Sequence, residues 1–364
     1  MAESEETFGN RVAETVTQGF LCLALSVGHK TGLFDTMAGF DDPKSAKEIA
    51  DAAGLKERYV REWLGAMVSG SIVEVDDDTS QLFLLPPHRR AAVTRLGDIV
   101  DWSMVAQGLP LVSGVYEKVA QCMALPGPSG LSSSEYSSGY HRWRDQCYDT
   151  FVQTSLLEAV IPSIPGLENV LEQGTDVVEI TSNTGSAIRK LARAFPDSRC
   201  VLTSSPRTTK DGKQCDPSIN TGSPYRQFNL KYETQDPTKL PADWSNKFGV
   251  VIAIQNIRDS PRPDVIAQEV HRILKPGGLF TMIESNMRSR IADNKEKPTA
   301  LFVYTTSLFG SLPQSLSEDN GLGLGAAFGR ESFKPFLEKA GFKSINLVPV
   351  PGDPMDSVSY VCKK

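Results

Sequence analysis

The chain lacks paired cysteines, is poor in histidine and carries no excess of positive charge, and each shortage excludes a class of function. Its six cysteines (Cys22, Cys122, Cys147, Cys200, Cys215 and Cys362) include no Cys-x-x-Cys pair, and its four histidines (His29, His88, His141 and His271) fall in different segments. Metal-ligand spacing is missing, so no metal is expected, and scattered thiols point to reduced, buried side chains rather than a disulfide framework. No apolar run approaches the roughly 20 residues that span a bilayer. The opening Met1-Ala-Glu-Ser-Glu-Glu-Thr7 is acidic, without the basic start and apolar centre of a secretory leader. A cytoplasmic protein without a membrane partner is the expectation. The formal charge is −6, and residues 1–100 hold 10 Lys and Arg against 16 Asp and Glu. A surface built to grip a phosphate backbone shows the opposite balance, so nucleic acid is not an expected partner.

What is present is a long chain, 364 residues with 40% apolar and 23% charged side chains, which suits about two soluble domains. Residues 8–36 form a helical pattern in which Val12, Val16, Phe20, Leu23 and Val27 make one apolar face. Ser45 and Glu48 have the spacing of a capping box for a helix over 46–53, Gly54 breaks it, and a second helix follows over 57–68. Extended pieces at 72–75 and 82–85 flank the turn Asp76-Asp77-Asp78-Thr79-Ser80. Helix, turn, helix and hairpin make a winged-helix pattern. Its second helix mixes Lys56, Arg58 and Arg61 with Glu57 and Glu62, and the wing tip is acidic. A dimerisation or lid module therefore fits better than a DNA reader.

Residues 126–139 are rich in Pro, Gly and Ser and suggest a mobile connection. After an amphipathic segment over 143–160, strands are expected at 177–180, 200–203, 227–230, 250–254, 279–284, 345–350 and 358–362. Helices are expected at 186–195, 264–274 and 332–340. Such alternation argues for an α/β fold whose mostly parallel sheet is covered on both faces. The resulting division is a winged-helix or dimerisation domain over 1–100, a helical linker over 101–165 and an α/β domain over 166–364.

The most informative stretch is Asp176-Val-Val-Glu-Ile-Thr-Ser-Asn-Thr-Gly185, a strand, a tight loop and a helix start. In a doubly wound α/β fold this is where a nucleotide-type cofactor sits. Together with Tyr59-Val-Arg-Glu-Trp-Leu-Gly-Ala-Met-Val68, Leu274-Lys-Pro-Gly-Gly278, Leu308-Phe-Gly-Ser-Leu-Pro-Gln-Ser-Leu316 and Gly341-Phe342, it resembles the class I S-adenosylmethionine (SAM) methyltransferases that carry an N-terminal winged helix. The resemblance runs from about residue 10 to the C-terminus. It implies a Rossmann-like seven-stranded domain, SAM as cofactor and a small-molecule substrate.

Carried over residue by residue, it places cofactor contacts at Glu179, Thr181, Asn183, Gly185, Ser204, Asp236 and Gln255. Two of these depart from the family pattern. Thr181 and Asn183 stand where it has the first two glycines of Gly-x-Gly-x-Gly, and a β-branched residue forced left-handed costs about 1–2 kcal/mol. Ser204 stands where a carboxylate takes both ribose hydroxyls; losing hydrogen bonds to a charged group costs about 1.5–3 kcal/mol. A weakened cofactor site is the expectation, with a catalytically inactive pseudo-methyltransferase as the alternative. In the family's His-Asp pair beside the substrate, Arg258 replaces the histidine and Asp259 remains. A guanidinium cannot accept a proton, so it suits an anionic substrate or an ion pair with Asp259. Tyr140, His141 and Tyr304 are candidate substrate-pocket residues. A homodimer, or a heterodimer with a paralogue, is the expected assembly.

Overall fold

In a computed structural model the described residues are 3–76, 81–95, 97, 99–180, 184–204, 207–208, 214–215, 228–325 and 328–364. The chain divides into two compact units, Met1–Ser113 and Gly114–Lys364.

The first unit opens with α1 (Glu5–Thr31), capped by Ser4, whose hydroxyl accepts from the Thr7 amide. The long helix and its exit expected over 8–36 are both present. Gly32 adopts φ 73°, closes α1 and starts α2 (Leu33–Ala38). The capping box forms as the spacing requires, with Ser45 and Glu48 exchanging bonds at the start of α3 (Ala46–Ala53). Helix α4 (Glu57–Ser69) buries Val60, Trp63, Leu64 and Met67 against Phe34, Ile49 and Leu85. The wing reduces to β1 (Glu74–Val75) paired antiparallel with β2 (Phe83–Leu84). The expected apolar face of α1 forms but lies open: Val12, Val16, Phe20 and Val27 are 45, 56, 69 and 50% exposed.

In the second unit, α5 (Ser138–Ser155) starts directly after the Gly- and Ser-rich stretch. That stretch, expected as a mobile connection, is tied into the unit. Leu131 and Tyr136 are buried, and the Leu131 amide bonds the Pro313 carbonyl.

The sheet that follows comprises β3 (Asp176–Glu179), β4 (Arg199–Ser204), β5 (Leu230–Thr234), β6 (Phe248–Ile254), β7 (Leu274–Ser285), β8 (Ser344–Pro349) and β9 (Ser357–Lys363). Its order is β8-β9-β7-β6-β3-β4-β5, parallel except where β9 runs against both β7 and β8. The expected strand over 227–230 instead begins at Leu230, because the alternating Leu-Lys-Tyr-Glu-Thr pattern of this edge strand pairs with β4. Helices α6 (Ser186–Ala194), α7 (Pro263–Ile273), α8 (Ala300–Thr306) and α9 (Gly329–Lys339) complete the second unit's labelled elements.

Both faces of the central strands β3 and β6 are buried, so these strands are mostly apolar rather than alternating. Val177, Val250 and Ile252 face Ile188 and Leu191 of α6, together with Phe151 of α5. Val178, Val251 and Phe280 face Ile266 and Phe342 on the other side. The chain leaves β3 for β4 and β5 on one side and returns to β6 and β7 on the other. The carboxyl ends of β3 and β6 therefore flank the crevice where doubly wound sheets bind ligands. Among the described residues no helix is long and apolar enough to cross a membrane.

Candidate functional site

The first wall of the crevice is the β3–α6 corner. Glu179 closes β3 and is buried. Its Oε2 accepts the amide of Ile188, in the first turn of α6, at 3.0 Å, and its Oε1 accepts the Tyr148 hydroxyl of α5. An anion at a helix N-terminus is favourably placed, so Glu179 knits strand, helix and α5 together. Asp149, one residue on from Tyr148, accepts from Thr184 Oγ1 at 2.5 Å and Ser186 Oγ at 2.6 Å. Gly185 sits at φ 69°, and a Cβ there would lie 2.4 Å from Leu202 Cδ2. The last glycine of the motif is thus required by both backbone and space. Thr181 and Asn183 lie outside the described residues. Ser204 ends β4 opposite Thr234, and its side chain also lies outside them.

The second wall is the end of β6. Gln255 follows the strand at φ 52° with its amide on the Ile283 carbonyl. Asn256 beside it is buried, with its Nδ2 bonded to nothing among the described residues. Asp236 lies two residues beyond β5 and is exposed. Its Oδ1 accepts the Thr238 amide at 2.8 Å and hydroxyl at 2.7 Å, the bonding of an ordinary Asx turn.

Arg258 and Asp259, on the turn after β6, meet side chains that sequence reasoning missed. Asp259 Oδ2 pairs with Arg144 of α5 at 2.5 Å. Arg258 Nη1 lies 3.3 Å from Glu284 Oε2 at the end of β7 and donates to Ser285 Oγ at 3.1 Å. The Arg258–Asp259 contact itself is looser, at 3.8 Å. Burial pushes the Glu284 carboxyl up to about 7; Arg258 opposes the rise and Asp259 adds to it. Burial alone would lower the Arg144 guanidinium, but Asp259 outweighs it and holds it raised. The signal for Glu284 was available in the sequence, as one acid ending the apolar run Leu279-Phe-Thr-Met-Ile-Glu284.

Tyr140 joins this cluster. It stacks on Tyr136 with centroids 4.5 Å apart, and the Arg144 guanidinium lies 6.0 Å from its ring. His141 is instead held by its own segment, with Nε2 3.0 Å from the Ser133 carbonyl. Tyr304 belongs to a separate small cluster with Met287, Ala300 and Val303, and its hydroxyl accepts from Asn294 Nδ2 at 2.9 Å. Among the described residues no group of three or more His, Cys, Asp or Glu side chains could hold a metal ion.

Residues 19–95 match the family model of the Rv2258c-like winged HTH domain, and residues 178–282 match that of a methyltransferase domain. No curated protein matches the chain. Among solved structures, human N-acetylserotonin methyltransferase in complex with SAM is similar at 13% identity, TM-score 0.70, covering 100% of this chain and 99% of that one. An O-methyltransferase family protein from Burkholderia thailandensis is similar at 11% identity, TM-score 0.68, with 100% and 99% covered. An O-methyltransferase-like protein from Nostoc punctiforme follows at 13% identity, TM-score 0.66, with 99% and 100% covered. At these identities the likeness shows the fold, and it extends over the whole chain.

Proposed function

With the chain identified as a winged-helix domain followed by a domain of the class I methyltransferase fold, we propose that it is a SAM-dependent methyltransferase of a small molecule. Its hold on the cofactor is weaker than the fold permits. The observation that carries the reading is the crevice between β3 and β6, where Asn256 presents a buried amide donor that has no partner among the described residues, beside Gln255. That donor set fits a nucleoside ligand. Glu179, Thr181, Asn183, Gly185, Ser204, Asp236 and Gln255 would hold it, and when bound it supplies a methyl group already activated on sulfonium. The weakness lies in charge. Both Glu179 oxygens are engaged within the protein, and Ser204 offers a hydroxyl where the ribose wants a carboxylate. Incubation with methyl-labelled SAM and small-molecule extract fractions should give a labelled product at millimolar cofactor.

A second reading, a non-catalytic partner, is favoured by Arg258, which cannot serve as the family's proton-accepting histidine. It is supported instead if no fraction takes up label and calorimetry with SAM gives no heat.

The partner in either case is a second copy of the chain, bound through α1. An apolar stripe over five turns, in which a Cβ at Gly9 or Gly19 would meet nothing within 4 Å among the described residues, suits an isologous pair with i, i+4 ridges interlocked at about −50°. Phe20→Glu should convert dimer to folded monomer in light scattering; an unchanged mass, or a wild-type monomer, contradicts the assembly.

A further inference from the structure

The charged cluster at the ends of β6 and β7 holds bare buried atoms of both kinds. Glu284 is fully buried and, among the described residues, neither carboxylate oxygen has a hydrogen-bond partner, although Oε2 keeps its 3.3 Å ion pair with Arg258 Nη1; Asp259 Oδ1 and Arg258 Nε also make no hydrogen bond and lie 3.8 Å apart. The groups facing Glu284 are Arg258 and Asp259 from the turn after β6 and Tyr360 from β9. The Tyr360 hydroxyl is likewise unpartnered. A carboxylate only accepts and a guanidinium only donates, and leaving buried groups of either sort unmatched is costly. The missing component is a group that both donates and accepts. An anion would place further negative charge against Asp259 and Glu284, and a cation would face Arg258 and Arg144. A neutral hydroxyl satisfies both sides.

We propose that Glu284 is the proton acceptor for a neutral hydroxyl on the small molecule this domain modifies, with Arg258 as the residue that positions and balances the oxygen left behind. The proposal rests on the methyltransferase reading and names the acceptor atom within it. The acceptor O–H bond breaks, its proton forms an O–H bond with the Glu284 carboxylate, and the electron pair stays on the oxygen facing Arg258. The proton passes to solvent afterwards. A carboxyl raised to about 7 by burial is a better proton acceptor at neutral pH than an ordinary one. The aromatic side chains Tyr136 and Tyr140 pack beside Arg144 in the same cluster.

The test uses 4-nitrophenol with the cofactor-free full chain near pH 7, where the Glu284 carboxyl is still partly ionised and able to accept a proton. Bound dye should absorb more strongly in the phenolate band than free dye at the same pH in the wild type and lose this excess in Glu284→Gln, and Arg258→Lys should weaken it. Infrared titration provides a second readout that needs no dye. One carboxyl should lose its proton near pH 7 in the wild type and be missing in Glu284→Gln. The proposal is overturned if saturating dye gives no excess phenolate in the wild type, or if the excess or the carboxyl transition survives in a folded Glu284→Gln. Neither readout needs a methyl donor. Lost phenolate with intact transfer from SAM would remove Glu284 alone, whereas a phenolate band without SAM binding would remove the methyltransferase reading and keep the proton acceptor.

Discussion

The two walls of the crevice are built on opposite terms. At the β3–α6 corner both oxygens of Glu179 are engaged, by Ile188 and Tyr148, and Asp149 fastens Thr184 and Ser186. At the ends of β6 and β7, Glu284, Asp259, Arg258 and Asn256 each keep a buried atom bare among the described residues. A closed network stabilises the fold and offers little to a ligand; an open one costs stability and is completed by a ligand. The wall that carries the motif's last glycine, Gly185, is the closed one, and the wall at the ends of β6 and β7 is the open one.

Breaking the closed wall should have the largest effect. Glu179→Ala removes a buried carboxylate that accepts two bonds, leaving the Ile188 amide and Tyr148 hydroxyl without it. A loss of about 3–5 kcal/mol is expected in denaturant unfolding. A loss below about 1 kcal/mol would mean the network does not fasten the corner.

The open wall should respond to pH rather than to truncation. Glu284 ionises near 4.5 when unfolded and near 7 when folded. The folded state therefore binds more protons between those values, and stability falls as pH rises through that window. The difference corresponds to something on the order of 3 kcal/mol. Wild type should lose stability by that order relative to Glu284→Gln as pH rises from 4.5 through 7. Parallel stability curves would show that Glu284 does not titrate there.

The smallest effect is expected at Asp149, whose hydroxyl partners are only partly buried. Asp149→Ala should cost about 1–2 kcal/mol and accelerate amide exchange at residues 184–186 without affecting the ends of β6 and β7. Exchange that quickened equally at Arg258 and Glu284 would show the walls to be one network.

Most of the architecture was legible from the chain. Apolar strands separated by helix periods fixed a doubly buried parallel sheet, and Ser45 and Glu48 placed their helix start to the residue. Gly185 was legible as the motif's last glycine, and the structure adds that Leu202 leaves no room for a Cβ. Other features were not legible because they depend on what arrives from elsewhere in the chain. Arg144 sits on a helix of mixed polarity, and only the fold brings it to Asp259. Glu284 looked like a strand end, and only burial gives it a near-neutral carboxyl. The apolar stripe of α1 was visible, but periodicity alone does not say that it would be left in solvent. His271 was only one of four scattered histidines in the sequence; in the fold it meets Phe342 edge-on at 5.1 Å, and burial lowers its pKa.

We propose that the fold survives intact while its hold on an adenosyl ligand has slackened. Calorimetric titration of SAM into the unmodified protein and into Thr181→Gly/Asn183→Gly/Ser204→Asp tests it most directly. The account predicts weak binding to the first and roughly tenfold to hundredfold tighter binding to the second, the equivalent of about 1.5–3 kcal/mol. Tight binding to the unmodified chain, with no gain from the three changes, would contradict it.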